Sequence, residues 1–102
     1  MDESSFERAA EAILRGLMAR IEDARDDAEA ELAGGILTVE LDEGGTYVIN
    51  LHRPNRQIWV SSPKSGAWHF ARDAAGDWVS TRGTERLLPL LEAELGLPKT
   101  GA

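Results

Sequence analysis

The run Pro54-Asn55-Arg56-Gln57-Ile58-Trp59-Val60-Ser61-Ser62-Pro63 reads as a strand bounded by prolines with a tryptophan near its middle. Side chains alternate across a strand, which puts Ile58 and Val60 on one face and Gln57, Trp59 and Ser61 on the other. The aliphatic face gains most by burial, so the indole of Trp59 is left standing among amides and hydroxyls. Two accounts fit a tryptophan placed there. Either a loop or terminus covers it, or it belongs to a recognition surface, since Trp is enriched among the few residues that dominate interfaces.

On either side the same period of two recurs. Residues 46–51 place Tyr47, Ile49 and Leu51 on one side and Thr46, Val48 and Asn50 on the other. Before them, Leu37, Val39 and Leu41 face a core while Thr38, Glu40 and Asp42 face away. Asp42-Glu43-Gly44-Gly45 turns the chain between these two strands, and a hairpin is their natural pairing. Beyond the tryptophan strand, residues 63–66 form a turn and residues 67–72 a further strand, in which Trp68 and Phe70 alternate with Ala67, His69 and Ala71. A short last strand over 78–81 follows the turn Ala74-Ala75-Gly76-Asp77.

Helices flank this set. Phe6, Ala10, Ile13, Leu17, Ile21 and Ala24 recur at spacings of three and four as one apolar stripe, and Ser4 with Glu7 has the form of a capping box at its start. Residues 22–31, with six carboxylates and one base, read as the far end of that helix. Like charges four apart there, Glu22 with Asp26 and Asp23 with Asp27, cost about 0.2 to 0.5 kcal/mol each. They also oppose the dipole, whose C-terminal end favours positive charge. The second helix carries Leu87, Leu88, Leu91 and Leu95, ends at Gly96 and Pro98, and is expected to begin near Arg86 or Leu87 because Pro89 lacks an amide donor. The tail after Leu97 is expected to fray. The order helix, consecutive short strands, helix indicates an α+β domain spanning 1–102, with an antiparallel sheet carrying both helices on one face and its other face wet.

Composition narrows the function. The chain of 102 residues has room for one modest core. It has no cysteine, so disulfides and thiolate ligands are unavailable. No apolar run is long enough for a membrane span, and the start Met1-Asp2-Glu3 is the opposite of an arginine-rich transit peptide; a soluble, cytoplasmic protein is expected. The net charge of −7 is uneven, with 13 acids and 4 bases in residues 1–43 against 5 acids and 7 bases in 44–102. Such an acidic pole repels nucleic acid and attracts cations or a basic protein surface.

The candidate metal ligands are Glu22, Asp23, Asp26, Asp27, Glu29 and Glu31, with Glu40, Asp42 and Glu43 on a neighbouring strand edge. Oxygen-only sets suit hard cations such as Ca2+, Mg2+, Mn2+ or iron. The plainer account is a solvated acidic face that keeps the protein soluble. His52 and His69 share no ligand spacing. His52 falls in a loop and is expected to be exposed, whereas His69 lies by parity on the polar face, within reach of Trp59 across the sheet. No nucleophile, base and orienting acid follow a recognisable order, and neither a phosphate loop nor a dinucleotide fingerprint is present.

The residues Gly45-Thr46-Tyr47-Val48-Ile49-Asn50 and Pro54 through Gly66 resemble the central signature of the frataxin family. The resemblance runs over roughly residues 4 to 95 and takes in the acidic first helix, Gly35-Ile36-Leu37-Thr38-Val39, Gly76-Asp77-Trp78-Val79 and the leucine-rich last helix. It implies a two-layer α-β sandwich with five to six strands, loosely bound iron (Fe2+ or Fe3+) at the acidic residues, and weak ferroxidase behaviour as an option of the family. It also implies docking on the cysteine desulfurase and scaffold of iron–sulfur cluster assembly through Asn50, Asn55, Gln57, Trp59 and His69, by a protein that is monomeric without iron. Eukaryotic members usually carry arginine at the place of His69 and bacterial ones often histidine. The chain departs from the family pattern at Ala71, where an acid is common, and by one residue before the last helix at Pro89. An iron oxidase or iron store acting alone, and an acidic adaptor with no metal role, are the competing readings.

Overall fold

Asp2 opens the first helix, α1 (Glu3–Ala24), by accepting the backbone N–H of Ser5 on Oδ1 at 2.7 Å in the computed structural model, which describes residues 2–99. The cap therefore falls two residues earlier than the expected Ser4–Glu7 box, and a carboxylate at this end also complements the helix dipole. Phe6, Ala10, Leu14, Leu17 and Ile21 form the buried stripe; Ile13 is only half-buried and Ala24 is exposed.

The helix ends at Ala24, seven residues short of the expected end at residue 31. Arg25 is extended at φ −135°, and Ala28–Ala33 becomes an edge strand, β1. Two local causes are visible. Stopping before Asp26 avoids stacking two more carboxylates over Glu22 and Asp23 at the negative end of the dipole. The alternation of Ala28, Ala30 and Leu32 with Glu29, Glu31 and Ala33 also suits a half-buried strand. Gly34 and Gly35, at φ +59° and +77°, then make the two-residue reversal that needs two left-handed residues in succession, pairing Ala33 with Ile36.

The remaining strands are β2 (Ile36–Leu41), β3 (Thr46–His52), β4 (Gln57–Ser62), β5 (Gly66–Arg72) and β6 (Trp78–Ser80). They lie in sequence order in one six-stranded sheet, and every neighbouring pair is antiparallel. The inward face carries Leu37, Val39, Tyr47, Ile49, Ile58, Val60, Phe70 and Trp78, which share one core with α1 and with Leu87, Leu91 and Leu95 of the second helix, α2 (Leu87–Leu95). Phe6 meets Trp78 edge to face at 5.9 Å. The first helical bond of α2 runs from the Leu90 N–H to the Arg86 carbonyl at 3.1 Å, so Pro89 occupies a first-turn position that has no amide partner to lose. Gly96 closes the helix in the left-handed conformation at φ +68°.

Beyond it Leu97 is buried and the Pro98 carbonyl accepts a hydrogen bond from Arg20, which ties down the first residues of the expected fraying tail; residues 100–102 lie outside the described residues. Among the described residues no helix is long and apolar enough to cross a membrane.

Candidate functional site

The uncovered face of the sheet is organised by register. Asn50 of β3, Trp59 of β4 and His69 of β5 stand directly opposite one another, and Ile36 of β2 extends the row beyond Asn50. Ile36 is 44% exposed and is the one large hydrophobic residue left in water among the described residues. Trp59 is half-buried, and among the described residues its cover comes from the neighbouring strands. Its ring lies between two imidazoles, His52 at 3.6 Å and 7° and His69 at 4.0 Å and 6°. The indole N–H donates to Gln57 Oε1 at 2.8 Å. The three rings make one slab whose cover comes from the sheet itself.

His52 is the member that sequence reasoning misplaces. It is the last residue of β3, paired with Gln57, rather than an exposed loop residue. Its Nδ1 is buried without a hydrogen-bond partner. Extending the strand by one residue keeps His52 in parity with Asn50 and Val48, and that parity is the signal that locates it. Of the expected docking residues, Asn50, Gln57, Trp59 and His69 are brought together. Asn55 is exposed in the turn between β3 and β4, outside the row.

The expected metal ligands are spread over a hairpin edge rather than along one helical ridge. Glu22 and Asp23 end α1, Asp26 and Asp27 follow it, Glu29 and Glu31 point outward from β1, and Asp42 and Glu43 sit in the next turn. Register sets Glu29 opposite Glu40 and Glu31 opposite Thr38. Glu22, Glu29, Glu31 and Glu40 line one open cleft of about 410 Å³. Asp27 is engaged elsewhere. Arg25 donates to both of its oxygens, Nε to Oδ1 at 2.8 Å and Nη2 to Oδ2 at 2.7 Å, and this holds the Asp27 carboxyl below its ordinary pKa. The same guanidinium donates through Nη1 to the Leu95 carbonyl at 3.0 Å, at the C-terminal end of α2 where a cation is favoured.

Among the described residues no three His, Cys, Asp or Glu side chains converge on one point as metal ligands. The cleft is thus an open set of carboxylate oxygens that forms no closed coordination shell.

Residues 1–98 match the family model described as the frataxin-like domain. The iron-sulfur cluster assembly protein CyaY of Neisseria meningitidis serogroup C is 35% identical over 95 residues, covering 93% of this chain and 87% of that protein. The protein of the same name from Vibrio cholerae is 35% identical over 94 residues, covering 92% and 88%. Frataxin from Psychromonas ingrahamii superposes with a TM-score of 0.83 at 24% identity over 93% of this chain and 89% of that one, a likeness of fold alone. Trimeric frataxin from Saccharomyces cerevisiae, described as complexed with ferrous, superposes with a TM-score of 0.76 at 38% identity, covering 86% and 82%.

Proposed function

The chain belongs to the frataxin-like family, and from that premise we propose that it serves iron–sulfur cluster assembly in the cytoplasm, as a monomer in the absence of iron. It binds iron loosely at the acidic edge and docks its open sheet face on the cysteine desulfurase and scaffold, modulating sulfur transfer. One observation carries the reading: the sheet sets Glu29 opposite Glu40 at its first edge. Like charges directly opposed destabilise a strand pair, and a bound cation relieves them. Relatives named for iron–sulfur cluster assembly and the ferrous-complexed yeast frataxin point the same way. For the docking face the support is the row of Ile36, Asn50, Trp59 and His69 on a sheet side that carries no helix. Acidic charge at the edge adds attraction to a basic partner surface.

An NMR titration with Fe2+ tests the metal half. The amides of Glu22, Glu29, Glu31 and Glu40 shift at low affinity. Shifts at His52 and His69 with the edge unmoved overturn the assignment. Trp59→Ala tests the docking half. The stack lies outside the core, so the variant stays folded and loses about 1 to 2 kcal/mol for its two ring contacts, while affinity for the desulfurase–scaffold complex falls by more than about tenfold. An unfolded variant, or a folded one that binds normally, sinks the interface. Oxidation of Fe2+ by the protein alone selects the iron oxidase, and no response to any cation selects the adaptor.

A further inference from the structure

Arg15, Arg20, Arg25, Arg53 and Arg86 each reach a carboxylate. In an acidic chain that is the expected fate of a guanidinium. Arg8, Arg56, Arg72 and Arg82 form no ion pair among the described residues, and of these Arg56 and Arg72 line the same open cleft of about 590 Å³ between the β3–β4 turn and the β5–β6 turn. Its floor is Ala71, whose methyl group supplies neither charge nor bulk and which stands opposite Gln57 on the open face.

Two backbone features place these cations. Arg56 is the only non-glycine residue with positive φ among the described residues, at +51°. A left-handed conformation is costly for a side chain with a Cβ, and such strain collects where the surrounding structure serves a ligand. Arg72 lies against the next turn. Its Nε faces the Gly76 carbonyl at 3.4 Å, and a Cβ on Gly76 would stand 3.4 Å from its Nη2. The positive φ of Gly76, +90°, shapes the turn on which the guanidinium rests, and the Nη groups of Arg72 have no protein acceptor among the described residues. One carboxylate shares the cleft, that of the exposed Asp73, whose Oδ1 is engaged by the next turn, accepting the backbone N–H groups of Ala75 at 3.0 Å and Asp77 at 2.9 Å.

We infer that this cleft is a binding site for a small multivalent oxyanion, of the polycarboxylate or phosphate class, clamped between Arg56 and Arg72. Two planar guanidiniums offer paired donors that match such oxygens, and no side chain among the described residues uses them. The site lies beyond the reading of the acidic edge and the aromatic row and does not depend on either.

The test is an NMR titration that follows the Nε–H signals of Arg56 and Arg72 and the Gly76 amide. Citrate and inorganic phosphate are the probes, at ionic strength held constant with sodium chloride. All three signals shift and saturate with the multivalent anions but not with chloride. Arg72→Gln weakens binding by about tenfold or more. Arg56→Gly separates the two roles of that residue: relieving the left-handed strain raises the melting temperature, while affinity falls by a similar factor. Chloride reproducing the shifts, or Arg56→Gly binding like the parent, overturns the site. A short peptide with two adjacent glutamates, titrated in parallel, identifies the source of the oxyanion. Saturation by the peptide with no response to citrate or phosphate also overturns the small-ligand assignment.

Discussion

Glu94 of α2 accepts three hydroxyls, from Tyr47 at 3.0 Å and Ser62 at 2.6 Å on Oε1 and from Ser65 at 2.6 Å on Oε2, whereas Glu29, Glu31 and Glu40 on the β1–β2 edge form no hydrogen bond or ion pair through their side chains among the described residues. Burial pushes the Glu94 carboxyl up, but the hydroxyls of Ser62, Ser65 and Tyr47 outweigh it and hold the group below its ordinary pKa. On the other side of the same bond, burial and the Glu94 charge push the Tyr47 phenol up to about 12. The two carboxylate sets differ in what they serve. Glu94 fastens the last helix to β3 and β4, while the edge carboxylates add repulsion that the fold must tolerate.

The largest expected effect lies on the Glu94 side. Glu94→Ala strips the acceptor from two part-buried hydroxyls, those of Tyr47 and Ser62, and from the exposed one of Ser65, and the unfolding free energy falls by about 2 to 3 kcal/mol. A change below about 0.5 kcal/mol, in the range of an ordinary surface substitution, breaks the contrast. The pH dependence sharpens it. Because the folded Glu94 pKa is depressed, its contribution is complete above the ordinary value of 4.5 and is lost as pH falls through the folded value. Tyr47 has the opposite sign: its folded pKa is raised, so its contribution is present below the ordinary 10.0 and is lost as pH climbs toward about 12. Urea midpoints measured against pH should show a shallower acid limb in Glu94→Gln, with the share of Asp27 left in place, and a shallower alkaline limb in Tyr47→Phe.

Much of the fold is legible in the sequence because it rests on local periods. The alternations of Leu37, Val39 and Leu41 and of Tyr47, Ile49 and Leu51 fix strands and inward faces without tertiary information, and the parity of residues 57–61 places Trp59 outside the core. The chemistry of Pro89 sets the start of α2. β1 is hidden because Ala and Glu are good helix formers and alanines bury too little surface to announce a strand. Pairing with β2 through Gly34-Gly35 decides it instead, a tertiary override of propensity. That is why the acidic residues read as part of a helix where the structure has a hairpin edge. The Glu94 network joins residues 29 to 47 positions apart in the chain, and no spacing rule reaches that far.

A smaller effect separates two acids that composition treats alike. Asp27 is one of nine candidate ligands by sequence, but its bidentate pair with Arg25 braces the passage from α1 to β1. Asp27→Lys should therefore lower the melting temperature even though it reduces the charge of an overcharged region. Asp23→Lys, at an exposed position of the last helical turn, should raise it slightly, since a cation there complements the dipole. Equal responses from the two variants would show that net charge, and not pairing, governs this edge.

The smallest effect concerns the pair that carries the metal reading. Glu29 and Glu40 face one another across the β1–β2 ladder on the outward side, where no cation among the described residues pairs with either. Glu40→Lys converts a like-charged cross-strand pair into an opposite-charged one and should stabilise the fold by about 0.2 to 1 kcal/mol. Glu40→Gln, which removes repulsion without adding attraction, should give a smaller gain. Because both side chains are exposed, the gain should shrink as salt is raised and the Debye length falls to about 3 Å at 1 M. Iron affinity should move the other way, falling in Glu40→Lys more than in Glu40→Gln, because the lysine cation repels the metal that the four-carboxylate cleft attracts. Stability and iron affinity rising together in Glu40→Lys would mean that the edge is only a solvated acidic face and that the cation binds elsewhere.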